Sequence, residues 1–153
     1  MTMVEGEAMP AVSAVAADGT AVALDSLPLP AVVYFYPKDD TPGCTREALD
    51  FSALSAQFAA AGASVVGVSK DSAARHAKFA AKHDLSVRLL SDESGAVCDA
   101  FGTWGEKMLY GKTYMGIERA TFLFGRDGRL VRAWRKVKVP GHAEAVLEAV
   151  QGL

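Results

Sequence analysis

The stretch Tyr34-Phe35-Tyr36-Pro37-Lys38-Asp39-Asp40-Thr41-Pro42-Gly43-Cys44-Thr45-Arg46-Glu47 decides the reading of this chain. It carries a cysteine from the end of an apolar strand onto the start of a helix. Ala31 to Tyr36 is a continuous apolar run, suited to a central strand covered on both faces. Pro42 suits the first helical position, because its fixed φ is helical and its missing N–H would have had no partner there. Thr41 is therefore the expected N-cap, with Cys44 in the first turn. The free N–H groups and partial positive charge of a helix start favour the thiolate of a group whose ordinary pKa is about 8.5.

Outward from this stretch, apolar runs alternate with helical patterns. Pro42 to Ala61 reads as one helix, with Phe51, Leu54, Phe58 and Ala61 at three- and four-residue spacing and Gly62 closing it. Ala63 to Ser69 is the next strand. Asp71 or Ser72 can cap a helix running to about His83, and Val87 to Leu90 is a short strand before a helix near Gly95 to Phe101. After a glycine-punctuated loop, Ala120 to Phe124 and Leu130 to Trp134 are strands joined by Gly125-Arg126-Asp127-Gly128, a hairpin signal. Val139-Pro140-Gly141 breaks the chain before a last helix through Val150. Near the N-terminus, Ala11 to Ala16 and Thr20 to Leu24 flank Asp18-Gly19 and read as a small outlying hairpin. This order predicts an α/β, thioredoxin-like fold over residues 1–153 as one domain: a central mixed sheet flanked by helices, with an N-terminal β-hairpin.

Composition narrows the function classes. At 153 residues, half of them apolar, the chain can bury a full core without disulfides or metal. A net charge of -2 and a pI near 5.9 provide no general attraction to phosphate backbones or anionic lipid, so neither nucleic acid nor membrane is expected as a partner. Arg132, Arg135, Lys136 and Lys138 cluster, and such a run on a strand reads as a solvated edge. No Lys or Arg precedes Lys38, and Pro10 interrupts the Ala/Val-rich part, which speaks against a signal peptide. With two cysteines, a reducing, cytoplasmic setting is expected, in which a cysteine is catalytic or inert more often than a structural bridge.

Pro37, Thr41 and Cys44 stand as P-x-x-x-T-x-x-C, and with this motif the chain resembles the peroxiredoxins, in particular the bacterioferritin comigratory protein (PrxQ) branch. Arg88 to Ser91 with Asp92, Phe101 to Lys107 and Tyr110 to Leu123 fall in that family's order too. The resemblance implies a peroxidase that reduces hydrogen peroxide and organic hydroperoxides without metal, haem or flavin. It implies Cys44 as the nucleophile that becomes a sulfenic acid, Arg119 as the cation beside it, and Pro37 as a shield from water. The Thr41 hydroxyl, one turn before Cys44, is placed to donate to the peroxide, and the N–H groups of Gly43 and Cys44 are free at the helix start. Glu47 shares a helical face with Cys44 and is placed to orient the Arg119 guanidinium. Trp104 and Tyr110 are expected to line or buttress the pocket.

Many members of this branch place a resolving cysteine five residues after the first, and this chain has Leu49 there. Cys98 is the other candidate for that role, although its spacing with Phe101 on one helical face favours a core position. A one-cysteine cycle is therefore expected, with Cys44 regenerated by an external thiol such as thioredoxin or a small thiol. Relatives in this branch are often monomers, so a monomer or weak dimer is expected here. A rival reading on the same fold is a redox-sensing or holdase-like binding protein; a thiol-disulfide oxidoreductase is disfavoured, because Cys44 lacks a C-x-x-C partner.

Other motifs are weaker. Gly111-Lys112-Thr113 is like the end of a P-loop, but Glu106 stands where glycine is needed, and the segment precedes a strand. His76 and His83 are two helical turns apart, about 10 Å at the usual rise, too far to share a metal. His142, near the start of the last helix, reads as a surface residue.

Overall fold

A computed structural model describes residues 3–153. Its frame is a seven-stranded mixed sheet in the order β2-β1-β5-β4-β3-β8-β9. The strands are β1 (Ser13–Ala16), β2 (Ala21–Ala23), β3 (Ala31–Phe35), β4 (Ser64–Ser69), β5 (Arg88–Ser91), β8 (Ala120–Phe124) and β9 (Leu130–Trp134). The helices are α1 (Pro42–Ala53), α2 (Ser55–Ala60), α3 (Ala73–His83), α4 (Ala96–Phe101) and α5 (His142–Gln151). Strands β3, β4 and β5 run parallel, joined by helical crossovers, and β8 and β9 are added antiparallel as the hairpin expected from the Gly125 to Gly128 turn.

The apolar run at Ala31 to Phe35 is the middle of this sheet, and every residue of β3 is buried. Alternation along it divides the core in two. Val33 and Phe35 face a cluster containing Phe101, Phe122, Phe124 and Cys98, while Val32, Tyr34 and Tyr36 face one containing Cys44, Phe51, Phe58, Phe79 and Val146. The aromatic rings interlock in stacked and edge-on pairs: Phe35 and Phe101 are 5.0 Å apart, and Tyr34 stacks on Phe51 at 4.6 Å.

Four sequence expectations are corrected. The helix expected over Pro42 to Ala61 is two, broken at Leu54. There Ser55 Oγ donates to the Ser52 carbonyl, and Ser52 Oγ accepts from the N–H groups of Ser86 and Val87. Short hydroxyl side chains offer the backbone such alternatives to helix continuation. The N-terminal hairpin is not outlying, because β1 pairs antiparallel with β5 and buries Ala14 and Ala16. The glycine-punctuated loop is a second, two-stranded sheet, β6 (Trp104–Leu109) with β7 (Lys112–Ile117). Tyr110 and Gly111 turn it, both at positive φ (51° and 77°), as a two-residue hairpin of the primed type requires. Finally, His142 is not a surface residue. It is buried, shares a 2.7 Å hydrogen bond with Thr121 Oγ1, and lies edge-on to Phe51 and Trp134. The basic run from Arg132 begins on β9, at the sheet edge.

Gly67 on β4 is where the sheet approaches a large ring most closely. A Cβ there would lie 2.5 to 2.9 Å from ring atoms of the fully buried Tyr34 on the neighbouring strand. Tyr34 is pinned by Phe51 on its other side and cannot yield. Gly67→Ala is therefore expected to lower stability by about 1–3 kcal/mol through overpacking. Urea unfolding checks this, and an unchanged midpoint would contradict it.

Candidate active site

The register of the central strands brings the site together. Phe35, the last residue of β3, pairs with Ala120, the first of β8, so Arg119 sits beside the loop that leaves β3. That loop runs from Tyr36 to Thr41 and delivers the chain to α1, where Thr41 is the N-cap and Pro42 opens the helix. The first helical bond is made by the Thr45 N–H to the Thr41 carbonyl at 2.8 Å. The N–H groups of Gly43 and Cys44 thus precede the bonded part of the helix and point from its positive end.

Cys44 is 2 % exposed, and its Sγ accepts a hydrogen bond from Arg119 Nη2 at 3.4 Å. The other guanidinium nitrogen, Nη1, donates to Glu47 Oε1 at 2.6 Å. One fork therefore holds both the sulfur and the carboxylate one helical turn beyond it. Glycine at 43 allows the approach, since a Cβ there would meet Arg119 Nη2 at 3.2 Å. Burial alone would lower the Arg119 pKa, but the facing charges of Glu47 and Cys44 hold it above its ordinary value, so the cation is permanent. Burial pushes the Glu47 carboxyl up to about 7 against the pull of Arg119, and its Oε2 has no hydrogen-bond partner.

The residues expected from sequence do not all fall as anticipated. Cys44, Arg119, Glu47 and Gly43 are in mutual contact, as argued from the strand end and helix face. Thr41 caps α1 with its backbone only; its hydroxyl donates to the Lys38 carbonyl at 2.9 Å and closes the loop on itself. Pro37 borders a groove of about 450 Å³ with Trp104, Tyr114, Met115 and Ile117. Trp104 forms part of that wall, its ring beneath Lys70 Nζ at 4.0 Å. Tyr110 does not, being 95 % exposed at the tip of the β6–β7 hairpin. Cys98 is fully buried in the core cluster on the other side of the central sheet from Cys44, and burial raises its thiol pKa well above the ordinary range. Leu49 is partly exposed on α1.

Sequence reasoning passed over the acidic pair in the loop. Asp39 is buried against His76 of α3, and Asp40, in the left-handed region at φ 60°, pairs with Lys82 and His83. Side-chain atoms of Asp39, Asp71 and His76 lie within 4.8 Å of one another, a spacing a metal ion could bridge. Those of Asp39 and His76 are bonded directly to each other at 2.6 Å, which leaves no gap for an ion between them. Separately, no helix among the described residues is long and apolar enough to cross a membrane.

Residues 6–133 match the AhpC/TSA family. Peroxiredoxin Bcp of Xanthomonas campestris is 55% identical over 120 residues, covering 78% of this chain and 75% of that protein. Peroxiredoxin Bcp of Bacillus subtilis is 48% identical over 122 residues, covering 80% and 78%. Among solved structures, a PrxQ mutant of Xylella fastidiosa superposes with a TM-score of 0.92 at 41% identity, over 99% of this chain and 98% of that one. A structure of the bacterioferritin comigratory protein of Xanthomonas campestris, described for its alkyl peroxide reduction activity, gives 0.86 at 48% identity over 92% and 90%. With the thioredoxin-like sheet and these likenesses together, the chain belongs to the AhpC/TSA family, within the Bcp/PrxQ branch of the peroxiredoxins, which are thiol peroxidases.

Proposed function

We propose that this peroxidase runs a one-cysteine cycle in which Cys44 is the nucleophile. The observation that carries the reading is the Arg119 fork, with one nitrogen on Cys44 Sγ and the other on buried Glu47. The cation faces a thiolate before reaction and the departing oxygen during it, so it stabilises charge at both ends of the transfer. Cys44 Sγ attacks the nearer oxygen of ROOH, the O–O bond breaks with its electron pair leaving on RO⁻, and sulfur is left as a sulfenic acid. The alkoxide takes a proton from water to leave as ROH. The N–H groups of Gly43 and Cys44 are placed for the peroxide oxygens. Because Thr41 Oγ1 already donates to Lys38, it offers the peroxide hydrogen its lone pairs.

Regeneration comes from outside. Cys98 is sealed behind the central sheet and has a raised pKa, both of which oppose it as an attacking thiolate. A small thiol or a thioredoxin-type protein therefore reduces the sulfenic acid: one thiol condenses to a mixed disulfide with loss of water, and a second displaces Cys44. A reducing cytoplasm supplies such thiols. Hydrogen peroxide and small organic hydroperoxides are the proposed substrates; reduction of alkyl peroxides by the Xanthomonas relative supports the second class.

After one equivalent of peroxide, the intact mass is expected to rise by one oxygen, whereas loss of two hydrogens would reveal an internal bridge and refute the one-cysteine cycle. Cys44→Ser abolishes turnover and Cys98→Ser retains it. Arg119→Met keeps the nucleophile but is expected to slow its oxidation by roughly 10²–10³-fold, the usual loss for a charge-stabilising donor, in a stopped-flow measurement.

Glu47 and His142 impress opposite pH dependences on stability. Folding raises Glu47 from 4.5 to about 7, so its contribution is complete below the lower value and is lost as pH climbs to the upper. Burial depresses His142 from 6.5 to about 4, with Arg119 and Arg132 adding to the effect. Its contribution is present above 6.5 and is lost as pH falls toward 4. Glu47→Gln removes the first slope and leaves the second, so between pH 4.5 and 6.5 the variant's stability should rise with pH more steeply than the wild type's. Denaturant midpoints at several pH values check it, and parallel profiles would mean that Glu47 is ionised throughout.

A further inference from the structure

Behind the loop that precedes Cys44 lies a buried polar chain that the peroxide chemistry does not use. His76, on α3, is completely buried. Its Nε2 lies 3.1 Å from the Leu90 carbonyl, which can only accept, so Nε2 carries a hydrogen. Its Nδ1 lies 2.6 Å from Asp39 Oδ2. The other oxygen of Asp39 accepts from Tyr36 Oη at 2.6 Å. The Asp39 backbone N–H donates in turn to Asp71 Oδ2 at 2.9 Å, and that oxygen also accepts from Ser69 Oγ. Tyr36 directly follows β3, Ser69 closes β4, and Leu90 lies on β5, so this chain ties the loop at once to β4, β5 and α3.

Such an anchorage is more than a loop needs merely to be covered. A carboxyl group buried to 4 % exposure is costly unless it is hydrogen-bonded, and each Asp39 oxygen has a partner: Tyr36 Oη on one and, on the other, an imidazole that itself has no solvent exposure. The next residue, Asp40, is at φ 60°, a conformation that favours glycine or a locally bonded Asn or Asp, and its carboxylate is held by Lys82 and His83. One residue on is Thr41, whose hydroxyl closes the loop onto Lys38, and three further on is Cys44. The position of the Thr41 hydroxyl relative to the sulfur is thus set by where Asp39 is clamped.

We infer that His76 is a positioning residue for peroxide reduction: clamped between the Leu90 carbonyl and Asp39, it fixes the Pro37 to Thr41 loop and so the alignment of the Thr41 hydroxyl with Cys44 Sγ. This rests on Cys44 being the nucleophile, as proposed above. His76 touches neither sulfur nor substrate; its effect passes through Asp39. Reaction rates are steep in such alignment, because displacement by a fraction of an ångström takes the reacting atoms out of line.

The test is a single-turnover, stopped-flow reaction of the reduced protein with hydrogen peroxide, read as burst amplitude and rate constant. A variant that is merely less folded loses amplitude and keeps its rate constant; a misaligned one keeps amplitude and slows. For His76→Phe, which keeps a ring in the cavity without hydrogen bonds, the rate constant is expected to fall roughly tenfold or more at full amplitude. Tyr36→Phe deletes only the Oη bond to Asp39 and should slow the reaction less, again at full amplitude; it decides the matter if His76→Phe does not fold. Unchanged rate constants in the folded variants overturn the inference while the wild-type burst persists. Absence of a burst in the wild type would instead sink the assignment of Cys44.

Discussion

The site depends on one guanidinium held in a fixed place by strand register. Because Phe35 lies opposite Ala120, the residue before β8 is brought level with the turn that follows β3, and Arg119 reaches Cys44 and Glu47 together. A sulfur and a carboxylate on one turn of α1 would repel one another if both were charged; the shared cation makes their proximity favourable. Glu47 in turn prevents the fork from swinging toward solvent. The sheet therefore determines the electrostatics, and the electrostatics select the chemistry.

What the sequence disclosed and what it hid follow from the range of the interactions involved. Pro42 and the apolar run before it act locally, so the helix start, its cap and the placement of Cys44 were legible, as were β8, β9 and their glycine turn. Arg119 was legible through the family pattern and the strand start beside it. The break at Leu54 was not, since it arises from Ser52 meeting Ser86 and Val87, far along the chain. The β6–β7 hairpin escaped because Gly105 and Gly116 dilute the strand signal and its side chains lack a buried face with clear alternation. His142 and His76 look polar in sequence, but each is buried by finding a partner on another element, Thr121 for one and Asp39 for the other.

The two halves of the core divide the protein's tasks. On one side of β3, Phe35, Phe101, Phe122 and Phe124 form an aromatic packing that also encloses Cys98. On the other, Tyr34 and Tyr36 carry phenol groups toward the reactive side, where Tyr36 anchors Asp39. The alternation of a single strand thus separates a thiol enclosed among aromatic rings from one kept beside a cation. Nothing in the local sequence of the two cysteines differs as much as the faces they occupy.

The β6–β7 hairpin has a consequence for how such a protein can diversify. Its backbone bonds are satisfied between its own two strands, apart from the seven-stranded sheet, yet Trp104, Tyr114 and Met115 wall the groove that begins at Pro37. Trp104, Tyr114 and Met115 are exposed, whereas Ile117 at the end of β7 is anchored in the core, so changes at the first three reshape the mouth of the groove with little effect on the packing beneath. The shape of the groove's rim is thereby uncoupled from the stability of the main sheet.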